Sequence, residues 1–396
     1  MPLCPARSLR AVLRSRLGSV LVIAIASSAV LVPVAAGAAT GPAKDRTLQE
    51  QIDRFVSEPG GPPGIIAVLR DGKRTRVLRA GVADLATGRR PQATDHMRIA
   101  STAKAFSGAV ALSLVDRGAL SLDDTLRRRL PKLPRAWGQV TLRQLLNHTS
   151  GLPDYSRDPE FTAVIADDPR HHFDSHHLLD YVADEPLRFR PGSRYGYSNS
   201  DNIAVALMAE AVTGAPYEEL LRVLVYRPLG LRDTSLPQGY RLPKPYLHGY
   251  DMSDPASPQD VSEVFSASGA WASGGIVSTP LDMTRFIRGY ASGALYGRDV
   301  VREQRRWIEG ASEPAGPGRN KAGLGIFRYS TRCGVVLGHT GNFPGYTQLV
   351  AATPDGRRSL TFSITSQISA TSDPARLERL RAIQENYVCA LLHDRR

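Results

Sequence analysis

The sequence predicts a fold in which both ends of the chain build a sheet lobe and the middle of the chain forms a helical lobe. Two strand-like runs around Asp71 and Gly72 lie near the N-terminus. Apolar residues recur at helical spacing from Ser101 to about residue 235, and further strand-like runs follow in the last third. Strands, then helices, then strands and a helix indicate this mixed architecture.

The first 38 residues differ in kind from the rest of the chain. Four arginines precede the apolar run LGSVLVIAIASSAVLVPVAAGA, and the segment contains no acidic residue. This order is typical of a secretory signal peptide, with cleavage expected after Ala38. The apolar run is also long enough to cross a bilayer, so an uncleaved membrane anchor is the alternative. We expect a secreted protein whose mature domain covers residues 39–396.

A helix and a hairpin open the mature domain. Leu48, Ile52 and Phe55 have helical spacing in RTLQEQIDRFVSE, and the breaker PGGPPG follows. The run GIIAVLRDGKRTRVLRAGVAD then contains two β-rich stretches around Asp71 and Gly72, a dipeptide typical of a tight hairpin. The sheet therefore begins close to the N-terminus.

The middle of the chain is predicted to be helical, and the last third returns to strands. Helical periodicity marks the segments TLRQLLNH, SHHLLDYVADE and NIAVALMAEAVTG, which alternate with proline-rich loops. Strand-like runs CGVVLGH, TQLVAAT and SLTFSITS precede the closing helix PARLERLRAIQENYVCALLHD. We expect an α/β lobe over about 45–105 and 265–396, and a helical lobe over about 106–264.

Composition and charge limit the classes of partner. The 396 residues are 42% hydrophobic and 22% charged, as in a folded two-lobed protein. The formal charge of +12 falls to +8 when the signal arginines leave. This charge suits association with an anionic cell wall or with membrane headgroups, and a solvated basic surface without a specific partner is the simpler alternative. No aromatic-basic RNA motif or zinc finger occurs, so no nucleic-acid partner is expected. Cys333 and Cys389 remain in the mature chain, and we expect them to form a disulfide in an oxidising compartment.

Ser101 and Lys104 are the first candidate catalytic pair. Ser101 precedes an apolar helical pattern, so it is placed at a helix N-terminus, with Lys104 one turn along on the same face. The unpaired N–H groups there favour negative charge on an alkoxide or an oxyanion. The chain has only six lysines among its 50 basic residues. A lysine amine can act as the base for a serine when its pKa falls, whereas arginine stays protonated.

Two further stretches strengthen this interpretation. YGYSNSDN places Tyr197 and Asn199 two residues apart before a helix, and GHTGNFPGY places His339, Thr340 and Gly341 at the end of a strand. Ser-x-x-Lys, Tyr-x-Asn and His-Thr-Gly, in this order, resemble the motifs of the serine β-lactamase and penicillin-binding superfamily.

The chain is most similar to the class C β-lactamase and D-alanyl-D-alanine carboxypeptidase family. VTLRQLLNHTSGLPDYS, PGSRYGYSNSDN, YRPLGLRDTSLP and SASGAWASGGIVSTPLDMTRF extend the resemblance over roughly residues 47 to 390. The resemblance implies an α+β fold with an antiparallel sheet flanked by helices, an inserted helical lobe, and a site in the cleft between the two lobes. It implies no metal and no cofactor.

The resemblance also implies roles for the motif residues. Ser101 is the expected nucleophile, Lys104 its proton partner, and Tyr197 the group that exchanges protons with the serine and the leaving group. Asn199 is expected to bind the substrate amide. The remaining expected binding residues lie on the strand that carries the third motif: His339, Thr340, Gly341 and Asn342. The backbone N–H groups of Ser101 and Asn342 are expected to form the oxyanion hole.

His339 and Trp271 bear on the substrate. Many members of the superfamily have lysine where this chain has His339, and histidine there is found among carboxypeptidase-like members. We expect His339, next to Thr340, to help hold a substrate carboxylate with a charge that depends on pH near neutrality. Trp271 is expected either to form a wall of the site or to be an ordinary core tryptophan.

Other histidines do not support a metal site. The segment HHFDSHH contains four histidines, but Ser175 is expected to cap a helix there, so the four do not share one face. His148, in NHTSG, is expected to be a hydrogen-bonded structural residue. No Gly-x-Ser-x-Gly elbow occurs, which argues against an α/β-hydrolase.

The sequence therefore predicts a secreted serine hydrolase that forms an acyl-enzyme on Ser101. The leading prediction is a D-alanyl-D-alanine carboxypeptidase, acting on peptidoglycan peptides and recognising β-lactams. A class C-like β-lactamase or an esterase would use the same residues. A non-catalytic penicillin-recognising or sensor module is the alternative of another class.

Overall fold

A mixed sheet-and-helix architecture is seen in the computed structural model, which describes residues 43–393. The predicted signal peptide lies outside these residues. Within them, an antiparallel sheet of eight strands has the order β2-β1-β12-β11-β10-β9-β8-β7, and two short strand pairs lie apart from it. The strands are β1 (Gly64–Asp71), β2 (Arg74–Gly81), β3 (Met97–Arg98), β4 (Tyr250–Asp251), β5 (Gln259–Asp260), β6 (Val277–Ser278), β7 (Ile308–Glu309), β8 (Arg319–Ala322), β9 (Phe327–Thr331), β10 (Gly334–Phe343), β11 (Tyr346–Ala352) and β12 (Arg358–Ile364).

Helices cover the sheet and fill the middle of the described chain. The α-helices are α1 (Ala43–Ser57), α2 (Ala103–Asp116), α3 (Leu126–Arg129), α4 (Leu142–Leu146), α5 (Pro159–Asp167), α6 (Ser200–Thr213), α7 (Tyr217–Leu221), α8 (Arg227–Leu229), α9 (Trp271–Gly274), α10 (Pro280–Ser292), α11 (Arg298–Gln304) and α12 (Pro374–His393). Shorter 3₁₀ segments span Ala100–Thr102, Arg135–Trp137, Tyr155–Arg157 and Ser175–Val182, and a π-helical turn spans Arg222–Tyr226. No helix among residues 43–393 is both long and apolar enough to cross a membrane.

Both faces of the sheet are buried, which explains the unbroken apolar run at the start of β1. Ile65 packs with the cluster formed by α1 and α12 on one face. Ile66 packs on the other face with Phe106 of α2 and Phe286 of α10, whose rings stack at 3.6 Å. A strand with a core on each side carries apolar residues at successive positions rather than alternating ones.

The predicted terminal elements are confirmed. Leu48, Ile52 and Phe55 lie buried on α1. Asp71 pairs with Arg74 across a two-residue loop, and Gly72 has a φ of +56°, a left-handed conformation that glycine adopts without strain. The α+β fold class with an antiparallel sheet is likewise confirmed.

The predicted cap at Ser175 is wrong. The carboxylate of Asp174 accepts the hydrogen bond from the His176 backbone N–H, so Asp174 is the cap, and the segment Ser175–Val182 is a 3₁₀ helix. Ser175 is buried, with its hydroxyl donating to the carbonyl of Ser268. An aspartate one residue earlier offers a stronger acceptor, because its oxygen is charged.

Candidate active site

Ser101 lies in the 3₁₀ turn Ala100–Thr102, directly before α2. Ala100 has a φ of +53°, so the chain enters the turn through a conformation that costs energy for a residue with a side chain. This sharp entry places Ser101 at the N-terminal end of α2 and on the wall of a cavity. The predicted position of Ser101 at a helix start is therefore observed.

Lys104 is fully buried, with its amine between three oxygen atoms. Nζ lies 3.1 Å from Oγ of Ser101, 2.7 Å from Oδ1 of Asn199 and 2.7 Å from the carbonyl oxygen of Ser273. The amide and the carbonyl oxygens can only accept hydrogen bonds. A neutral amine donates two, so those two oxygens use both donors and the nitrogen lone pair is left for the Ser101 hydroxyl.

Burial lowers the pKa of Lys104 from 10.5 to about 7. The carboxylates of Asp154, Glu313 and Asp201 oppose this shift, because negative charge stabilises an ammonium. A substantial fraction of Lys104 is therefore neutral near pH 7. This is the state in which the amine can accept a proton from Ser101.

Tyr197 is the second proton-bearing group beside Ser101. Its ring centroid is 5.1 Å from Nζ of Lys104, and its hydroxyl is buried. Burial raises the pKa of Tyr197 well above its usual range, and the Ser101 side chain opposes the rise. Tyr197 is therefore a protonated phenol at neutral pH, suited to donating a proton rather than to accepting one.

The predicted amide-binding residue, Asn199, is committed to other side chains. Its Oδ1 accepts from Lys104, and its Nδ2 donates to Oδ2 of Asp154 at 3.2 Å and to Oγ of Ser156 at 2.8 Å. Asp154 itself is buried. This network fixes the orientation of the Asn199 amide and, through it, the position of the Lys104 amine.

Strand β10 packs directly against the turn that carries Ser101. A Cβ atom added at Gly341 would lie 2.5 Å from the carbonyl oxygen of Ile99 and 3.1 Å from Cβ of Ala100. Only glycine permits this approach. It brings Asn342 to the same cavity wall as Ser101, while the hydroxyl of Thr340 donates to the carbonyl of Pro314 at 2.5 Å.

His339 does not line this cavity among the described residues. Its side chain is buried, its Nδ1 lies 2.5 Å from the carbonyl oxygen of Thr340, and its ring meets Phe327 edge-on at 5.0 Å. Burial lowers the pKa of His339 to about 3, so the ring stays neutral near pH 7. The prediction of a charge that titrates near neutrality beside the substrate is therefore wrong.

Trp271 belongs to the core and not to the cavity wall. Its side chain is 1% exposed, its Nε1 donates to Glu218, and its ring packs edge-on against Tyr217. Its contribution to the site comes through the backbone: α9, which Trp271 begins, places the carbonyl of Ser273 against Lys104. Of the two expected roles, the core role is the observed one.

The cavity beside Ser101 has a volume of about 730 Å³ and walls that are mostly apolar. Ser101, Tyr197, Asn199 and Asn342 are among its polar lining residues. The following aromatic and aliphatic side chains also line it: Tyr155, Phe161, Ile165, Pro169, Phe173, Phe265, Pro314, Phe343 and Pro344. A substrate with an apolar group fits this environment, because transfer of apolar surface from water is favourable.

Comparison with known proteins identifies the group to which these residues belong. Residues 48–385 match the sequence model of the family described as Beta-lactamase. The chain belongs to the Beta-lactamase family. The family comprises serine hydrolases of the β-lactamase and penicillin-binding type, so the predicted enzyme class and the predicted resemblance are confirmed.

Relatives within the Beta-lactamase family span several activities. The chain is 28% identical to Penicillin-binding protein 4* of Bacillus subtilis (strain 168) over 71% of its own length, and 30% identical to the D-alanyl-D-alanine-carboxypeptidase/endopeptidase AmpH of Escherichia coli (strain K12) over 62%. It spans 63% of the length of each relative. A D-stereospecific amidohydrolase structure from Streptomyces sp. is 29% identical, with a TM-score of 0.73, over 85% of this chain and 98% of that one.

His148 and Asp201 form a hydrogen-bonded pair to which the sequence analysis assigned no catalytic role. His148 bonds through Nδ1 to Oδ2 of Asp201 at 2.7 Å, and Ser150 donates to the other carboxyl oxygen at 2.5 Å. The His148 ring packs 4.5 Å from the Tyr197 ring. Burial lowers the pKa of His148 to about 3, so a neutral ring faces Tyr197. The expected structural role of His148 is therefore the one seen, and it supports Tyr197.

Two signals in the sequence marked the residues that hold Lys104. Asp154 and Ser156 stand in GLPDYS, and Ser273 stands in AWASGG, both within the stretches on which the family resemblance was based. Their contacts with Asn199 and Lys104 join segments more than 40 residues apart, which spacing alone does not predict. Among residues 43–393, no group of three or more histidine, cysteine or acidic residues forms a metal site.

Proposed function

We propose that this protein is a serine hydrolase that forms an acyl-enzyme on Ser101 with Lys104 as the base, and that it is a D-alanyl-D-alanine carboxypeptidase of peptidoglycan peptides. The observation that carries the mechanism is the environment of Nζ of Lys104. Two acceptor-only oxygens at 2.7 Å leave the lone pair of a neutral amine for Ser101.

The proposed reaction proceeds in two halves. Ser101 Oγ attacks the substrate carbonyl carbon while Lys104 takes its proton, and the backbone N–H groups of Ser101 and Asn342 stabilise the oxyanion. The C–N bond then breaks, and the leaving amine takes a proton from Tyr197, whose high pKa keeps it protonated. Tyr197, now deprotonated, takes a proton from water as the water oxygen attacks the acyl carbonyl carbon. The bond between Ser101 Oγ and the acyl carbon breaks, the acid product leaves, and the proton held by Lys104 returns to Ser101 Oγ.

The carboxypeptidase assignment draws its support from relatives. AmpH and Penicillin-binding protein 4* carry names that refer to D-alanyl peptides or to penicillin. The support that His339 was expected to give is lost, since this side chain is buried and neutral. Arg157 lines the cavity, but Asp154 and Glu313 lie beside its guanidinium, so the carboxypeptidase assignment rests on the relatives.

A second candidate is an amidohydrolase or esterase for substrates with an apolar side chain. The cavity walls favour it, because Phe161, Phe173 and Phe265 offer aromatic surface that a D-alanine methyl group would leave largely unfilled. The similarity to the amidohydrolase structure from Streptomyces sp. also supports this second candidate.

The proposed site of action is outside the cell. Support comes from the arginine-rich start and the apolar run of the first 38 residues, together with a pair of cysteines in the remainder. A net positive charge after cleavage would favour contact with anionic wall polymers.

A panel of substrates tests this function. The purified protein and its Ser101→Ala variant are incubated in parallel with a D-alanyl-D-alanine peptide, nitrocefin, D-phenylalanine amide and p-nitrophenyl acetate. Release of D-alanine that depends on Ser101 supports the carboxypeptidase. Faster turnover of the phenylalanine amide or the ester supports the second candidate, and turnover of none of the four contradicts a hydrolase.

A further inference from the structure

Two charged side chains line the substrate cavity and lie next to each other. Among the described residues that line it, Arg157 and Glu313 carry the charged groups. Arg157 ends the 3₁₀ segment Tyr155–Arg157. The preceding residue, Ser156, accepts a hydrogen bond from the Asn199 side chain. Glu313 belongs to the loop between β7 and β8, and its neighbour Pro314 bonds to Thr340. Both groups are therefore within reach of a substrate in this cavity.

The backbone that presents Glu313 is held in place on several sides. Tyr195 Oη donates to the carbonyl of Ala311 at 2.5 Å, and Ser312 Oγ lies 3.0 Å from Oη of Tyr329 and 3.1 Å from the carbonyl oxygen of Pro314. These contacts anchor the backbone on both sides of Glu313, whose side chain is 55% exposed. An anchored backbone limits the positions that the carboxylate can reach.

Negative charge exceeds positive charge around Arg157. The guanidinium of Arg157 lies 3.5 Å from Glu313 Oε2 and 3.6 Å from Asp154 Oδ2. One positive charge therefore lies beside two carboxylates. The side chain of Arg157 is 60% exposed, and ion pairs between exposed side chains are weak. Glu313 can therefore exchange Arg157 for another cation at little cost, whereas a substrate carboxylate at Arg157 would meet two acidic neighbours.

We propose that Glu313 binds a protonated amine on the acyl portion of the substrate. The inference rests on the proposed acyl-enzyme function. If the leaving group is ammonia or a single amino acid, a free amine must belong to the acyl portion before the bond breaks. Two sources supply this chemistry: the α-amine of an amino-terminal residue, and the side-chain amine of a diamino acid that precedes the scissile bond.

Matched substrate pairs isolate the contribution of the amine. The first pair is D-phenylalanine amide and its N-acetyl derivative. The second is Nα-acetyl-L-lysyl-D-alanyl-D-alanine and the same peptide acetylated on the lysine side chain as well. Each pair differs in one ammonium group, so the ratio of kcat/KM values within a pair measures recognition of that group. A charge-assisted contact predicts a preference of about ten-fold or more for the free amine in at least one pair.

The variants separate Glu313 from a general effect of charge. Glu313→Gln keeps the shape of the side chain and should lower the preferred pair's ratio to below about three-fold. Glu309→Gln is the matched control, because Glu309 lies on β7, pairs with Arg319 and Lys321, and does not line the cavity. It should keep the wild-type ratio. A preference in the first pair assigns the α-amine, and a preference in the second assigns the side-chain amine.

Labelling of Ser101 by a tagged penicillin or by p-nitrophenyl acetate is measured on the same proteins. If wild type labels Ser101 but prefers neither free amine, or if Glu313→Gln keeps the wild-type ratio, the inference fails while the acyl-enzyme function stands. If neither the reporters nor the substrate pairs acylate Ser101, the proposed function fails, and the inference fails with it.

Discussion

Burial and hydrogen bonding together make Lys104 suited to act as the base for Ser101. Its amine lies at the end of a stem enclosed by the core, and desolvation lowers its pKa to about 7. Asn199 and Ser273 use its two N–H donors and so orient its lone pair toward Ser101. Arginine cannot fill this role, because its guanidinium stays protonated and has no free lone pair to offer. The need for a neutral amine thus explains why residue 104 is a lysine in a chain whose basic residues are mostly arginine.

We expect Lys104→Met to raise the free energy of unfolding, most strongly at acidic pH. Below pH 7 the lysine is charged in both states, so the full cost of burying that charge destabilises the wild type. Between pH 7 and 10.5 the unfolded chain binds more protons at this site than the native protein, and wild-type stability therefore rises with pH. The difference between the proteins should shrink by at most about 1.4 kcal/mol per pH unit in this window.

Urea denaturation of both proteins at pH 6, 8 and 9.5 measures this difference. An advantage of Lys104→Met that is the same at all three pH values would show that Lys104 keeps its ordinary pKa when buried.

At the residue scale, the sequence predicted what depends on local spacing and missed what depends on surroundings. Ser101 and Lys104 lie one helical turn apart, and the structure joins them at 3.1 Å. The sequence could not predict that His339 is buried and neutral, because its desolvation comes from strands and helices distant in the chain. The commitment of Asn199 to Lys104, Asp154 and Ser156 was missed for the same reason.

At the scale of elements, the site depends on how closely β10 approaches the turn before α2. Gly341 is the contact point, since any side chain there would overlap the carbonyl oxygen of Ile99. The approach places Asn342 on the same cavity wall as Ser101, where their N–H groups form the proposed oxyanion hole. One glycine thus connects strand packing to catalysis.

We expect Gly341→Ala to push β10 away from the turn. A shift of about 1 Å between catalytic groups can reduce the rate about 100-fold, and forcing a methyl group into a close contact costs about 1 to 3 kcal/mol of stability. Gly239→Ala is the control, since a Cβ there would meet no heavy atom within 4 Å. Rates of Ser101 acylation and melting temperatures test the pair. If Gly341→Ala acylates as fast as Gly239→Ala, the close approach has no catalytic role.

Sequence periodicity predicted the type and place of the elements better than it predicted their exact geometry. The hairpin at Gly72 and the closing helix α12 were predicted because turn residues and periodic apolar positions are local signals. The 3₁₀ form of Ser175–Val182 was not, because its geometry depends on contacts such as that between Ser175 and Ser268.

At the scale of the whole molecule, strands from distant parts of the chain are joined in one sheet. β1 pairs with β12 although nearly 300 residues separate them in sequence. Cys333 and Cys389 are bridged, with Cα atoms 5.1 Å apart, and the bridge links α12 to the turn between β9 and β10. The sequence indicated that the cysteines would pair, whereas the strand order follows from non-local pairing that periodicity does not encode.

We expect loss of the disulfide to lower the free energy of unfolding by about 4 kcal/mol, the value for a loop of this length in the chain-entropy account. The double variant Cys333→Ser, Cys389→Ser is compared with wild type by urea denaturation. Both proteins are measured with and without reductant, and reductant should destabilise only the wild type. Free thiols on both cysteines of protein purified without reductant would contradict the bridge.

The central claim, that Ser101 is acylated with neutral Lys104 as its base, is tested most directly by the rate of adduct formation as a function of pH. A labelled penicillin is mixed with the protein between pH 5.5 and 9, and intact mass and peptide mapping follow the adduct. The account predicts an adduct on Ser101 whose formation rate rises with pH through an apparent pKa of about 7, the value for buried Lys104, and its absence in Lys104→Arg. An adduct on another residue, or a rate on Ser101 that does not change with pH, would contradict it.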